Sequence, residues 1–332
     1  MNEERCEFGT STEGRYVAQL RLPGWSQSKL QEASVLIIGV GGLGQPAALY
    51  LTAMGIGRLL LIDPDQVEEA NLHRQPLYTP AHLQQLKVEV LAHHLCLLRP
   101  DLKVETYPYW ADEKLLEEVG STTDIWIDGT DNIQSRLAIS RAALRLGKPW
   151  VYGSVYQWEG QVALIEGLAY EEFFGEIAES PSCSQGGVLG SLPGLVGAWQ
   201  ASLAVLYLQG LFSNLRNRLF RIDLSQGIAD AFFLASFSAM PLEISAAQAL
   251  AYPDAVWIDL REQLNPPLPV PSLQSKWHEW ESWQLPLSPV ILVCERGERS
   301  RFVAYALRHK TQRKDIHSLR GGAPALLAHF LT

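Results

Sequence analysis

The chain has 332 residues, of which 47% are hydrophobic and 19% charged, and its formal net charge at pH 7 is −9. This length suffices for two domains, each with its own core. The acidic balance argues against nucleic acid as the main partner, and no apolar run is long enough to span a membrane. The excess acid belongs to the first domain, because ten basic and nine acidic residues nearly balance from residue 243 onward.

Four scattered cysteines and a polar first segment predict a cytoplasmic protein. Cys6, Cys96, Cys183 and Cys294 form no C-x-x-C pair, so they fit a reducing compartment and argue against a structural zinc site. Residues 1–14 are polar and acidic and lack the apolar core of a signal peptide. We therefore expect a cytoplasmic location and no zinc.

Residues 35–75 follow a strand–turn–helix–strand pattern. The two predicted strands are short apolar runs, and the segment between them is apolar with helical character. The turn carries the pattern G-x-G-x-x-G at Gly39, Gly41 and Gly44, and Asp63 ends the second strand. Glycines let the backbone approach a phosphate, a helix N-terminus supplies free N–H groups, and a carboxylate can accept ribose hydroxyls. The sequence therefore predicts a nucleotide site in a βαβ unit.

The residues after Asp63 favour a triphosphate over a dinucleotide. Asp65 is followed by a polar cluster that includes Asn71, Arg74 and Gln75. Arg74 is a fixed cation just past the strand end, where it can stabilise phosphate charge, and hydride transfer has no evident need for it. An NAD-dependent oxidoreductase stays open as the alternative.

A second polar group follows the predicted strand 124–128, which runs into Gly-Thr-Asp131-Asn132. A carboxylate at a strand end near a triphosphate is a natural Mg²⁺ ligand, because hard oxygen ligands and phosphates share that ion. The alternative is helix capping, since an Asp-Asn pair also suits the start of the helix that follows. Asp131 can serve both purposes, and we expect it to bind Mg²⁺.

Three motifs of this chain are G-x-G-G-L-G at 39–44, D-x-D at 63–65 and N-L-x-R-Q at 71–75. They resemble those of the ThiF/MoeB/HesA family, whose members are bacterial relatives of ubiquitin-activating enzymes. The resemblance runs from about residue 15 to about residue 230. It implies an α/β fold over residues 1–240, with a Rossmann-like, mostly parallel sheet and flanking helices. It also implies ATP, Mg²⁺ and adenylation of the C-terminal glycine of a small ubiquitin-like sulfur-carrier protein that ends in Gly-Gly.

The resemblance assigns roles to individual residues. Asp63 holds the ribose, Arg74 and Lys87 stabilise the phosphates, and Asp131 binds Mg²⁺. Lys87 lies in a predicted helical segment over 80–98, in which Gln84 replaces the family's usual glycine. The residues expected to bind ATP are Gly39, Gly41, Gly42, Gly44, Asp63, Asp65, Asn71, Arg74, Gln75, Lys87, Asp131 and Asn132.

The family opening R-Y-x-R-Q-x-x-L-P-G is matched at residues 15–24 except at Ala18. In relatives the missing arginine reaches the ATP of the neighbouring subunit, so the opening predicts a homodimer, as does the apolar helix predicted over 196–211. Ala18 favours a second alternative, a non-catalytic module that binds the carrier without adenylating it. The two C-x-x-C pairs that hold zinc in many relatives are also missing.

Cys183 lies in residues 181–194, which resemble the family's crossover loop, where a cysteine precedes A/G-G-V. In some relatives that cysteine takes the activated acyl group as a thioester or an acyl disulfide. The resemblance therefore implies a catalytic role for Cys183, and the alternative is an ordinary loop thiol.

Residues 241–332 predict a second, smaller α/β domain. Cys294 ends a buried strand and enters a loop with Arg296, Arg299 and Arg301 that feeds a helix; N–H groups and positive charge there favour a thiolate. The patterns I-D-x-R-E, C-x-x-G-x-R-S and L-x-G-G resemble a rhodanese domain, whose cysteine carries a persulfide sulfur. The resemblance implies that Cys294 takes sulfur from a persulfide donor and passes it on. The product would be a carrier thiocarboxylate for molybdopterin, thiamine or related sulfur chemistry.

Overall fold

The computed structural model describes residues 12–174, 187–225, 227–233, 243–261, 266–295, 297–311, 313 and 315–331. These residues form two compact units whose main division falls after residue 234. The boundary predicted at residue 240 lies outside the described residues. None of the helices in the described part of the chain combines the length and the apolar character that a bilayer crossing requires.

The first unit is built on one eight-stranded sheet. Its strands are β1 (Ser34–Ile38), β2 (Arg58–Ile62), β3 (Lys103–Tyr107), β4 (Ile125–Asp128), β5 (Trp150–Tyr156), β6 (Glu159–Ile165), β7 (Arg218–Asp223) and β8 (Ile228–Phe233). Their order is β3-β2-β1-β4-β5-β6-β7-β8. The first five strands in this order are parallel and the last three are added antiparallel. The predicted Rossmann-like, mostly parallel sheet is thus confirmed.

Helices flank this sheet, and local residue chemistry sets several of their ends. The helices of the first unit are α1 (Thr12–Tyr16), α2 (Gln27–Glu32), α3 (Gly44–Met54), α4 (Lys87–Leu98), α5 (Glu113–Gly120), α6 (Ile133–Leu146) and α8 (Leu192–Gln209). Between α6 and α8 in the chain lies α7 (Tyr170–Phe174), of which residues 171–174 belong to the second unit. α3 stops where Gly55 adopts a φ of 103°, a left-handed C-cap that favours glycine. α6 begins where the Asn132 side chain accepts a hydrogen bond from the Ser135 N–H at 2.8 Å.

The helix predicted over 80–98 is wrong in its first half. Residues Pro80–His82 form one 3₁₀ turn, and α4 begins only at Lys87. Between them Gln84 has a φ of 67°, which a continuous right-handed helix cannot contain. The glycine that the resemblance implies at this position would suit that backbone.

The strand order reverses between β1 and β4, which leaves a crevice at their carboxyl ends. The Gly39 N–H donates to Ile62 O at 2.8 Å, and the Gly129 N–H donates to Ile38 O at 2.7 Å. In open α/β sheets ligands bind at such a switch point. The glycine turn and the G-T-D-N segment therefore meet at the position where this fold binds ligands.

α8 packs tightly against the elements that carry the glycine turn. A Cβ on Gly197 would lie 2.2 Å from Leu43 O, and one on Gly160 would lie 2.5 Å from Val196 Cγ2. Val196 is fully buried, but Leu195 on the same helix is 43% exposed. The predicted apolar helix therefore serves the core, with part of its surface left uncovered in the single chain.

The second unit contains one five-stranded parallel sheet. Its strands are β9 (Glu243–Ile244), β10 (Val256–Asp259), β11 (Ser272–Gln274), β12 (Val290–Val293) and β13 (Ile316–Leu319), and its helices are α9 (Ala246–Leu250), α10 (Glu298–Thr311) and α11 (Gly322–Leu331). The strand order is β11-β10-β12-β13-β9, and every pairing is parallel. β12 is buried along its whole length, as expected for a central strand covered on both faces.

Candidate functional site

The turn between β1 and α3 presents backbone donors without partners. The N–H groups of Gly41, Gly42 and Leu43 donate no hydrogen bond to any described residue. They immediately precede the first turn of α3, at the positive end of its dipole. Such a turn is suited to bind the oxygens of a phosphate.

Close packing explains two of the predicted glycines. A Cβ on Gly44 would lie 1.9 Å from Gly39 O, and one on Gly129 would lie 2.3 Å from the same oxygen. Gly39 has a φ of 84°, in the left-handed region. Gly39 and Gly44 therefore let β1, β4 and α3 converge. The N–H groups of Gly41, Gly42 and Leu43, rather than these glycines, indicate a ligand site.

Asp63 lies behind the glycine turn and is 6% exposed. Its Oδ2 accepts a hydrogen bond from the Val40 N–H at 2.8 Å, and its Oδ1 accepts one from the Asp65 N–H at 2.9 Å. Burial raises the pKa of the Asp63 carboxyl, although Lys87 and the two N–H donors lower it. A carboxylate has about four acceptor positions, so Asp63 can still accept ligand hydroxyls.

Lys87 enters this region as the first residue of α4. Its side chain is 6% exposed, and its Nζ lies 2.8 Å from Asp65 Oδ2, on a side chain that is 54% exposed. The Tyr78 hydroxyl lies 2.9 Å from Val40 O and 3.1 Å from Lys87 O, which ties the glycine turn to the start of α4. Lys87 is thus placed against Asp65, and the phosphate role predicted for it stays a prediction.

The N-L-x-R-Q residues form a network beside the turn. Arg74 Nη2 donates to Asn71 Oδ1 at 2.6 Å, and Nη1 donates to Ala70 O at 3.2 Å. Gln75 is 4% exposed, and a Cβ on Gly41 would lie 3.2 Å from its Nε2. Its buried Oε1 has no hydrogen-bond partner among the described residues, which leaves an acceptor beside the turn.

Of the two roles that the sequence left open, the structure decides helix capping, and the metal role of Asp131 stays a prediction. Asn132 is the N-cap of α6. The Asp131 side chain is exposed, and no described residue makes a hydrogen bond or ion pair with it. Asp131 therefore has its carboxylate available at the strand end, as a metal ligand requires.

A buried network beneath Asp131 was not found from the sequence. Asp128 Oδ1 accepts hydrogen bonds from the Thr130 N–H at 2.9 Å and from its hydroxyl at 2.6 Å. Gln200 Nε2 donates to Asp128 O at 2.7 Å, and Arg136 Nη2 donates to Thr130 O at 3.1 Å. An arginine in the first turn of the helix after a strand-end aspartate was the available signal.

These features fit a nucleoside triphosphate with a shared metal ion. The glycine turn offers N–H groups to phosphates, Asp63 offers acceptors to a ribose, and Asp131 offers an open carboxylate. Among the described residues no group of three or more His, Cys, Asp and Glu side chains could hold a metal ion. Asp131 is the residue here that could hold Mg²⁺ together with the nucleotide phosphates.

In the second unit Cys294 follows β12 and is 1% exposed. Its Sγ accepts hydrogen bonds from the Gly297 N–H at 3.1 Å, and from the Ser300 N–H and hydroxyl at 3.4 Å each. These donors at the start of α10 favour the thiolate form.

Arg296 lies outside the described residues, as does Cys183 of the first unit. Arg299 lies 3.7 Å from Glu295 in an ion pair.

A buried ion pair stands at the end of the neighbouring strand. Arg261 Nη2 donates to Asp259 Oδ2 at 2.7 Å, its Nε donates to Asp259 Oδ1 at 2.9 Å, and its Nη1 donates to Pro266 O at 2.9 Å. The hydrogen bond to Asp259 raises the pKa of Arg261. The I-D-x-R-E pattern therefore anchors the segment after β10.

Comparisons with known proteins point to the same region. A family model described as the ThiF family matches residues 15–238. The chain is 37% identical over 223 residues to a sulfur carrier protein adenylyltransferase of Thermus thermophilus. The aligned region covers 63% of this chain and 82% of that protein. It is 36% identical over 202 residues to a SAMP-activating enzyme E1 of Haloferax volcanii. This aligned region covers 59% of this chain and 75% of that protein.

A longer relative and a solved structure extend the comparison. The chain is 37% identical to the adenylyltransferase and sulfurtransferase MOCS3-1 of Zea mays, over 63% of this chain but only 47% of that protein. The chain thus spans about half the length of that relative. A crystal structure of E. coli MccB with MccA-N7isoASN superposes with a TM-score of 0.60 at 22% identity, over 69% of this chain and 74% of that one. At this identity the likeness concerns the fold.

Proposed function

The chain belongs to the ThiF family, and we propose from that membership that it adenylates the C-terminal carboxylate of a small ubiquitin-like sulfur-carrier protein ending in Gly-Gly. The observation that carries the proposal is the set of unpartnered N–H groups at Gly41, Gly42 and Leu43, beside Asp63 at the switch point of the sheet. The Thermus and Haloferax relatives are named as an adenylyltransferase of a sulfur carrier protein and as a SAMP-activating enzyme E1, and both names support the same reaction class.

In this reaction the carrier carboxylate attacks the α-phosphorus of ATP, the bond to the β-phosphate breaks, and pyrophosphate leaves. The glycine turn holds the phosphates, Asp63 holds the ribose, and Arg74 and Lys87 stabilise the developing charge. Asp131 holds the Mg²⁺ ion, which neutralises phosphate charge when bound. No protein nucleophile is required, so positioning and electrostatic stabilisation account for the rate.

Exchange of labelled pyrophosphate into ATP tests the proposal. We expect exchange in the presence of an intact carrier and none with a carrier that lacks its terminal Gly-Gly. Isothermal titration with ATP and with NAD distinguishes an adenylyltransferase from an oxidoreductase. Tight NAD binding without ATP binding would contradict the proposed adenylation. Ala18 favours the second candidate, a carrier-binding module, which would bind the carrier but catalyse no exchange.

For the second unit we propose sulfur transfer through Cys294, supported by the donors around its Sγ. The Cys294 thiolate takes the outer sulfur of a persulfide donor, whose thiol leaves. The Cys183 thiolate displaces AMP from the acyl-adenylate to form a thioester, and the terminal sulfur of the Cys294 persulfide then displaces the Cys183 thiolate. Two equivalents of an external thiol reduce the resulting acyl disulfide on Cys294, which releases the thiocarboxylate. We propose that Cys183 holds the acyl group transiently, so Cys183→Ala should form adenylate but convert it to thiocarboxylate slowly.

We also propose that the protein works as a homodimer. The matched opening at residues 15–24 and the exposed Leu195 on the apolar helix α8 support it. Light scattering at increasing protein concentration provides the test. A mass that stays at that of one chain, 36.9 kDa, would contradict it.

A further inference from the structure

A cavity of about 600 Å³ lies at the edge of the first sheet opposite to the glycine turn. It is bounded by the amino-terminal ends of β1 to β4 and by the carboxyl ends of α2 and α4. The side chains that matter here are those of Glu32, Ser34, Arg58, Arg99, Lys103 and Asp124. None of them has a part in the proposed adenylation.

Arg99 is the unusual member of this lining. It is 4% exposed, and its Nε and Nη1 are buried without a hydrogen-bond partner among the described residues. The contact that it does make is an ion pair, with Nε 3.4 Å from Asp101 Oδ1, on a side chain that is 79% exposed. A buried guanidinium needs acceptors to offset its desolvation, and an exposed carboxylate is a weak one.

Two of the neighbouring charged groups, Arg58 and Asp124, are already hydrogen-bonded. Arg58 Nε donates to Glu105 Oε1 at 2.8 Å. Asp124 Oδ2 accepts hydrogen bonds from the Ser34 N–H at 2.8 Å and from its hydroxyl at 2.7 Å. Arg99 therefore remains as the buried cation in the lining that lacks a hydrogen-bonded acceptor.

We propose that this cavity binds a small molecule through a single carboxylate that accepts hydrogen bonds from the Arg99 guanidinium. The planar fork of arginine matches a carboxylate in geometry. The other cations of the lining are Arg58, which is paired with Glu105, and Lys103, which is exposed. Arg99 therefore offers one buried positive charge, which balances a singly charged carboxylate better than a phosphate dianion. The site lies away from the glycine turn, and the proposal does not depend on adenylation.

Thermal unfolding of the full chain, without ATP or carrier, tests this assignment. We expect acetate to raise the Tm of the wild type above its value in chloride at equal ionic strength, and Arg99→Met to lose that difference. Arg145→Met is the matched control, because Arg145 is an exposed arginine that pairs with Glu113 and Glu117 outside the cavity. It should keep the acetate response.

Titration calorimetry with acetate and with inorganic phosphate identifies the ligand class. We expect acetate to bind at least tenfold more weakly to Arg99→Met than to the wild type. Arg99→Lys keeps the charge without the fork, should weaken acetate binding by less, and serves if Arg99→Met does not fold. The proposal is overturned if acetate acts equally on wild type and Arg99→Met, if acetate and chloride do not differ in the wild type, or if phosphate binds in place of acetate.

Discussion

The Arg136 guanidinium lies against the buried carboxylate of Asp128, with Nε 3.4 Å from Oδ2. The Asp128 side chain is fully buried and that of Arg136 is 12% exposed. Arg136 also donates to Thr130 O and Gly153 O, so it joins the segment after β4 to the middle of β5. Because Thr130 precedes Asp131, this pair positions the strand end that carries the proposed metal ligand.

Arg136→Met should destabilise the fold by about 3–5 kcal/mol at neutral pH, because it leaves the Asp128 charge buried without its partner. Burial already raises the pKa of Asp128, and the arginine lowers it, so the substitution raises that pKa further. The added cost is full above the raised pKa, begins to fall as the pH drops below it, and is gone below the pKa of an unfolded aspartate, about 3.9. Urea unfolding at neutral and acidic pH measures the difference in the free energy of unfolding between the wild type and Arg136→Met.

The double variant Asp128→Asn with Arg136→Met is the control for that mechanism. It removes both charges and should recover a large part of the lost stability at neutral pH. Arg141→Met, at a side chain that is 51% exposed, should change the free energy of unfolding little. Equal losses in the single and double variants, independent of pH, would show that packing rather than an unpaired charge is responsible.

Asp131→Asn should remove carrier-dependent pyrophosphate exchange and leave the free energy of unfolding nearly unchanged. The Asp131 side chain is exposed and makes no hydrogen bond or ion pair with a described residue, so little structure depends on it. A ligand to the ion that neutralises phosphate charge affects rate far more than stability. Asn132→Ala is the contrasting variant: it loses the N-cap of α6 and should cost about 1 kcal/mol of stability. Normal exchange in Asp131→Asn would refute the metal role.

Gln84→Gly should stabilise the protein by up to about 1 kcal/mol. Gln84 has a φ of 67°, and a non-glycine residue in the left-handed region costs about 1–2 kcal/mol. The greater freedom of glycine in the unfolded chain offsets about 0.5–1 kcal/mol of that relief. Gln85→Gly is the matched control, since Gln85 is not among the residues with positive φ, and it should destabilise. The midpoint of urea unfolding distinguishes the two variants.

The parts of the fold that the sequence predicted are those set by local pattern. The strand that ends at Asp63 and the strand over 124–128 were predictable because their signals lie within a few adjacent residues, and they correspond to β2 and β4. The positive φ of Gln84 was not, because glutamine carries no sign of it. Arg136 was also missed, because its partner is set by the contact between α6 and the end of β4. Sites that depend on long-range contacts therefore escape a pattern analysis.

The proposed sulfur chemistry depends on the donors around Cys294, and Ser300→Ala removes one of them. The Ser300 N–H and hydroxyl each lie 3.4 Å from Cys294 Sγ, and the single O–H also lies within reach of Gly297 O at 3.1 Å. The substitution keeps the N–H donor and deletes the hydroxyl. A hydrogen bond to a charged group is worth about 1.5–3 kcal/mol, so the thiolate fraction should fall roughly tenfold or more at a pH where the thiol dominates.

Sulfur transfer from thiosulfate should therefore slow in Ser300→Ala, and its pH–rate profile should move to higher pH. Cys294→Ala should abolish the transfer and leave pyrophosphate exchange intact, because adenylation is proposed for the first unit alone. Ser318→Ala is the matched control. Ser318 is equally buried, and its hydroxyl lies 2.9 Å from Ser300 Oγ, so it lacks the direct bond to Sγ and should leave the profile in place. An identical shift in both serine variants would mean that loss of packing, and not loss of a donor, slows the reaction.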